Sequence, residues 1–226
     1  MPLIPEIETC LNEFKATLDA DVKSLIELHD AENQGAGRPG RWLDAIRRSA
    51  IVLLAANFEN FCESTVCASL RYLAAQGVFA RRYPERYRHW LFREDAHMRN
   101  IGIDGAGEFI TLSLKLYSDI RPLTLDELKL DRLKEEFANP TPTNVNWLVS
   151  LFDSDDYLTG VVLQVNGADT PAPAAIGELA SRRNKIAHGD AGENPSAEDV
   201  KRLTKFCQLF ANRFAKDISD LTHRSL

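Results

Sequence analysis

The chain has 226 residues, 44% hydrophobic and 27% charged, which is globular composition and enough length for one sizeable domain or two small ones. Its 33 acidic residues against 27 Lys and Arg give a formal charge of −6, which argues against coating nucleic acid by bulk electrostatics and leaves room only for a local basic cleft. The opening MPLIPEIETC has no leader pattern, and the apolar run AIVLLAANF (50–58) is too short for a membrane span, so the expectation is a soluble, cytoplasmic protein without a membrane partner.

Helical periodicity dominates the chain. Residues 3–33 predict a first helix with an apolar stripe at Leu11, Phe14, Leu18, Val22, Leu25 and Leu28, stopped by GAGRPG over 35–40. A second helix is expected from Trp42 to Ala75, closed by Gly77; its middle, SAIVLLAANFENFCESTV, is apolar almost all round, as a helix packed on several sides should be. Residues 80–122 read as an irregular insertion of short helices and loops. Helices are expected near 124–137 and 143–152, the second capped by Thr143 after the breaker 139-NPTP-142. The stretch LTGVVLQVNG (158–167) is read as an irregular connection and ADTPAPA as a loop.

The last two helices have the clearest boundaries. One is expected over 173–188, ended by Gly189. The other follows Pro195, with Ser196 as N-cap, Asp199 completing a variant capping box, and a stripe of Val200, Leu203, Cys207, Phe210, Phe214 and Ile218. No solenoid repeat is present. The expected architecture is an all-α helical bundle over residues 1–226, a single domain with long N-terminal helices. Cys10, Cys62, Cys67 and Cys207 have no CxxC pairing and predict buried free thiols. The run DSDDYLTG (153–160) lacks the Gly and terminal Glu of an EF-hand loop and reads as a turn; no metal and no cofactor are expected.

The penultimate helix ends in SRRNKIAHGD (181–190), where a buried stripe of Ile176 and Leu179 continues into Arg183. An unpaired guanidinium there is costly. Either an acid from a neighbouring helix pairs with it, or it lines a cleft and meets a phosphate, for which its planar fork is suited. Asn184 and His188 share a face, so the amide can orient the imidazole. On a straight helix Arg183 and His188 point about 140° apart, and they converge only if the helix ends near His188, as Gly189 suggests that it does.

Arg183-Asn184-x-x-x-His188 resembles the Rx4–6H signature of the HEPN superfamily, whose small helical bundles often carry a polar residue, commonly Asn, after the Arg. Two further stretches, AANFENFCESTV (55–66) and FANPTPTNVNWLVSLF (137–152), resemble the bacterial RiboL-PSP type of HEPN protein. The resemblance spans roughly residues 50–215. It implies a metal-independent endoribonuclease in active members, working as a homodimer whose motifs meet across the two-fold axis, and a biological role as toxin or antiphage effector with an antitoxin or regulatory partner. Carried over, Arg183 would bind the scissile phosphate, His188 would act as general acid or base, and Asn184 would hold the imidazole or the phosphate. The alternatives are a non-catalytic HEPN module that binds RNA or a protein, and a helical scaffold with a capping His.

Supporting candidates are Arg182 and Lys185 beside the motif, and Glu59, which either reaches Arg183 and the cleft or forms a solvated strip with Glu63. The stretch RRYPERYRHWLFRED (81–95) interleaves aromatics with arginines, and Arg81, Arg82, Arg86 and Arg88 are candidates for a single-stranded RNA groove. Its bland reading is inward-packed aromatics with arginines answering Glu85, Glu94 and Asp95. Arg41, Arg47 and Arg48 carry the same ambiguity.

Overall fold

The first apolar stripe steps by four residues at Phe14, Leu18, Val22 and Ile26, and an α-helix would carry it about 40° further round at each such step. In the computed structural model the backbone absorbs that drift: α1 (Pro5–Thr17) passes into a π-helical turn (Leu18–Lys23) and continues as α2 (Ser24–Glu32). The buried register moves on by one residue. Ile26 and His29 face inward, whereas Leu25 is only half-buried and Leu28 is exposed, against the predicted stripe. The structure describes residues 1–33, 41–99, 106–117 and 121–226; the predicted stop over 35–40 and parts of the predicted irregular insertion lie outside these, as does the side chain of Arg41.

The long central helix is α3 (Arg41–Ala75), ended by Gly77 in the left-handed region at φ 66°. Beyond it, the region expected to be irregular holds a 15-residue helix, α4 (Glu85–Arg99), and a 12-residue one, α5 (Ala106–Tyr117). The stripe of α4 is Tyr87, Trp90, Leu91 and Glu94, all buried; a buried glutamate and interleaved arginines disguise its helical period in the sequence. The predicted turn over 153–160 contributes to this helix. Asp153 accepts from the backbone N–H groups of Glu85 at 2.8 Å and Arg86 at 2.9 Å, capping α4 from a distant part of the chain.

The helix expected over 124–137 is divided by Lys129 at φ 51° into a short 3₁₀ turn (Asp126–Leu128) and α6 (Leu130–Glu136). The next helix, α7 (Pro142–Ser150), begins before the predicted cap. Thr141, not Thr143, is its N-cap and accepts from the Asn144 N–H at 3.2 Å, because Pro142 is preset for the first helical position, where no N–H is needed. The stretch read as a connection and loop is a hairpin: β1 (Val162–Val165) pairs antiparallel with β2 (Ala168–Pro171) through Asn166 at φ 53° and Gly167 at φ 82°. Asn-Gly at a tight hairpin turn is the signal that the sequence reading passed over.

The last helices are α8 (Ala172–Ala187) and α9 (Ala197–His223), both close to the predicted bounds. The capping box at Ser196 and Asp199 is formed in both directions at 3.0 Å. The whole predicted stripe of α9 is buried. It packs with α1 and α8 around α3, so that Phe58 meets Phe210 at 5.4 Å while Phe61 lies between Phe14 at 4.7 Å and Phe214 at 6.0 Å. Among the described residues the fold is therefore helical with one small two-stranded sheet. All four cysteines are free; burial pushes the Cys67 thiol up to about 11, and Cys10 alone is incompletely buried. Among the described residues no helix is long and apolar enough to cross a membrane.

Asp153→Ala removes the acceptor from the first turn of α4 and places a less tolerant residue at φ 58°, so it is expected to lower stability by about 1 kcal/mol in a denaturant titration. Asp153→Asn, which retains a cap oxygen and tolerates the left-handed backbone, is expected to lose less.

Candidate functional site

The end of α8 is built to expose an imidazole. His188 is the C-cap, its N–H donating to the Asn184 carbonyl at 2.9 Å, and Gly189 follows at φ 80°. The Gly189 N–H then donates to Ile186 O at 3.1 Å and the Asp190 N–H to Lys185 O at 3.0 Å, closing the helix by left-handed C-capping. His188 is left exposed at a concavity of about 550 Å³, where Thr141, Pro142, Gly177, Ser181 and Asn184 also lie.

Arg183 is partly buried, and among the described residues no carboxylate pairs with it; its Nη1 donates to Asn184 Oδ1 at 3.1 Å. The surrounding acids are committed elsewhere. Arg182 pairs with Glu178 at 3.0 Å, Glu193 at 2.6 Å and Asp199 at 3.4 Å, Lys185 pairs with Glu193 at 3.3 Å, and Arg202 takes Glu178 at 2.6 Å. Arg182 and Lys185 thus tie the loop after His188 to α8 and α9. Arg47 secures the same loop from α3, donating to Pro195 O at 2.8 Å and Asn194 at 3.3 Å while also meeting His29 at 2.9 Å.

The expected link from Asn184 to the imidazole is not among the described hydrogen bonds. Asn184 Oδ1 accepts instead from Arg183 and, at 3.4 Å, from Asn139 Nδ2. Asn139 is the residue that sequence reasoning missed; its signal was the Asn-Pro turn, which placed it in a loop and gave no direction for its side chain. Its own Oδ1 is buried without a donor among the described residues, an arrangement that costs roughly 1–3 kcal/mol. Arg183 does not line the His188 concavity of its own chain. A larger concavity of about 700 Å³ between α3 and α8 holds Arg48, Val52, Leu53 and Ile186, and none of the motif's polar side chains.

The supporting candidates are dispersed. Glu59 is half-buried on α3 and makes no ion pair with Arg183, while Glu63 pairs with Lys134 at 3.6 Å. The 81–95 stretch follows its bland reading: Tyr83, Tyr87 and Trp90 are buried and stacked at 6.0 Å and 5.8 Å. Arg86 pairs with Asp155, and Arg88 donates to Tyr83 O at 3.0 Å and lies over the Tyr117 ring at 4.8 Å. Arg93 meets Glu94 at 3.2 Å and Glu136 at 3.3 Å. The acids differ in part from those expected, since Glu85 pairs with His89 at 3.7 Å and the Asp95 side chain lies outside the described residues. Arg82 donates to Leu226 O at 2.7 Å, and neither it nor Arg81 lines the His188 concavity. No group of three or more His, Cys, Asp or Glu placed to hold a metal is found among the described residues.

A family model described as RiboL-PSP-HEPN matches residues 16–220. No curated protein and no solved structure matches the chain.

Burial opposes ionisation of Asp199, but the Ser196 N–H and hydroxyl with Arg182 and Arg202 outweigh it and hold the carboxyl below its ordinary range. A depressed acid contributes stability that is present above its unfolded value of about 3.9 and is lost as pH falls through the folded one. Asp199→Asn is therefore expected to cost about 1 kcal/mol at neutral pH. The gap from the parent should begin to narrow below about pH 5 and close as melts are taken on below about pH 4, through the depressed folded value.

Proposed function

The chain belongs to the RiboL-PSP-HEPN family, and from that premise we propose that it is a metal-independent endoribonuclease whose active site is completed by a second copy of the chain. The observation that carries the reading is the uncompensated guanidinium of Arg183. Every described ion pair around it serves Arg182, Lys185 or Arg202, so the one motif cation without a carboxylate is the one suited to a phosphate.

The chemistry follows from these groups. The RNA 2′-oxygen attacks its own phosphorus, the bond to the 5′-oxygen breaks, and a 2′,3′-cyclic phosphate remains. His188 takes the 2′ proton or delivers one to the departing 5′-oxygen, a task fitted to imidazole near neutral pH. Arg183 stabilises the negative charge that builds on the phosphorane oxygens. The amide nitrogen of Asn184 donates to the same phosphate. Because Arg183 and His188 of one chain do not share a concavity, the partner's motif supplies the missing member when two α8 ends face each other. The role of toxin or antiphage effector, restrained by an antitoxin or regulatory protein, accords with a site whose assembly depends on dimerisation.

The same separation of Arg183 from His188 favours a second reading, a HEPN module that binds RNA or a protein without cutting. Purified protein incubated with total RNA and tRNA in EDTA separates the two. Cleavage leaving cyclic phosphate, reduced on the order of a hundredfold by His188→Ala and comparably by Arg183→Ala, is expected. Folded dimers that leave RNA intact would select the binding module.

A further inference from the structure

The buried, donorless oxygen of Asn139 is the feature that the proposed reaction leaves unused. Asn139 sits where α6 gives way to α7, in the left-handed region at φ 78° and directly before Pro140. Few side chains other than Asn tolerate that backbone region. Its backbone oxygen is tied down from the α7 side, by the Thr141 N–H at 2.9 Å and by Asn144 Nδ2 at 2.8 Å. With the backbone so held, its carboxamide reaches across to α8 and donates to Asn184 Oδ1 at 3.4 Å.

Donor chemistry fixes which atom faces which. A guanidinium has only donors, so the Asn184 atom that Arg183 meets is the oxygen. That oxygen needs a donor from Asn139 as well, so Asn139 presents its NH₂ and turns its own oxygen into the protein. Flipping Asn139 would oppose two carbonyl oxygens, and flipping Asn184 would oppose an amide NH₂ to a guanidinium. The orphaned oxygen is the consequence of orienting Asn184. The Asn184 NH₂ has no acceptor among the described hydrogen bonds, and Asn184 lines the His188 concavity.

We propose that Asn139 is a positioning residue, which holds the Asn184 carboxamide with its oxygen toward Arg183 and its N–H groups toward the concavity, where they donate to a phosphate oxygen of RNA. It acts through Asn184 and does not touch the substrate. The consequence for catalysis rests on the endoribonuclease reading; the orientation of Asn184 does not.

Two variants test this in the full chain. Asn139→Gly keeps the left-handed backbone available and removes the carboxamide. Asn139→Asp keeps the shape and substitutes an acceptor that repels Asn184 Oδ1 and competes for Arg183. Steady-state cleavage of a short RNA and the ¹H–¹⁵N side-chain amide signals of Asn184, assigned with Asn184→Ala, are measured together. In Asn139→Gly, kcat is expected to fall about tenfold or more with KM within about twofold of the parent. Asn139→Asp should fall further, the Asn184 amide pair should shift in both variants, and Asn139→Gly should add no loss in an Asn184→Ala background. Parental kcat in Asn139→Gly, an equal loss in the Asn184→Ala background, or an unmoved Asn184 amide pair in a folded variant would overturn the proposal. If the parent itself shows no His188-dependent cleavage, the endoribonuclease reading fails separately. The amide signals then decide the positioning role alone: a shift upholds it, and an unmoved pair overturns it.

Discussion

The fold depends on wrapping α3. Through its middle the helix leaves a strip at Ser49, Leu53, Ala56 and Asn60 exposed, so the expected packing all round is not complete. It buries a broad face at Ala50, Ile51, Leu54, Ala55, Phe58, Phe61 and Cys62, which neighbouring elements have to cover from several directions. The contacts that meet this demand are aromatic, with Phe58 and Phe61 of α3 set against Phe14 of α1 and against Phe210 and Phe214 of α9. Once α9 is fixed by those rings, its N-terminus is fixed too, and with it the short loop back to the end of α8. The position of His188 is thus linked to the packing of α9 on α3.

A second constraint is the allocation of charge around that loop. Glu178, Glu193 and Asp199 could each have neutralised a nearby cation, and all are taken by Arg182, Lys185 and Arg202. These pairs are partly exposed and individually weak, but they share partners and so hold the loop as a network. Their effect on the neighbouring residue is the more consequential one. Adjacent arginines in the sequence have opposite situations in space, because successive residues on a helix point about 100° apart. Arg182 pairs with Glu178 of α8, Glu193 of the loop and Asp199 of α9, whereas the described side-chain hydrogen bond of Arg183 goes to the amide of Asn184.

Much of this was legible in the chain because local rules and global packing agree. The ends of α8 and α9 follow from Gly189, Ser196 and Asp199, and the α9 stripe from plain periodicity. What was not legible had physical reasons. The π turn shifts the register after Val22, and no residue type announces it. Pro142 looks like a breaker and acts as a first helical residue, so the start of α7 moved to Thr141. The α4 stripe includes a glutamate, Glu94, that is buried because Arg93 and Arg132 meet it, which a hydrophobic pattern cannot anticipate. In the candidate site, the residue types at Arg183, Asn184 and His188 were readable, but the hydrogen bond from Asn139 crosses 45 residues of sequence and is a property of the fold.

The motif's spacing explains why Arg183 does not share the His188 concavity within one chain. An interval of five residues places Arg183 and His188 on different sides of α8 by the helix repeat, and the helix continues to Ala187 before it ends. A longer break in the helix could have swung the imidazole round to the guanidinium, but left-handed capping at Gly189 comes too late for that, since His188 still has near-helical torsions at φ −83° and ψ 6°. In the proposed dimer, two copies related by a two-fold axis would remove the difficulty without any change in the chain, because each α8 end would offer a guanidinium on one side and an imidazole on the other. On the proposed ribonuclease reading, activity would rise and fall with association, and control over the second copy would be control over the chemistry.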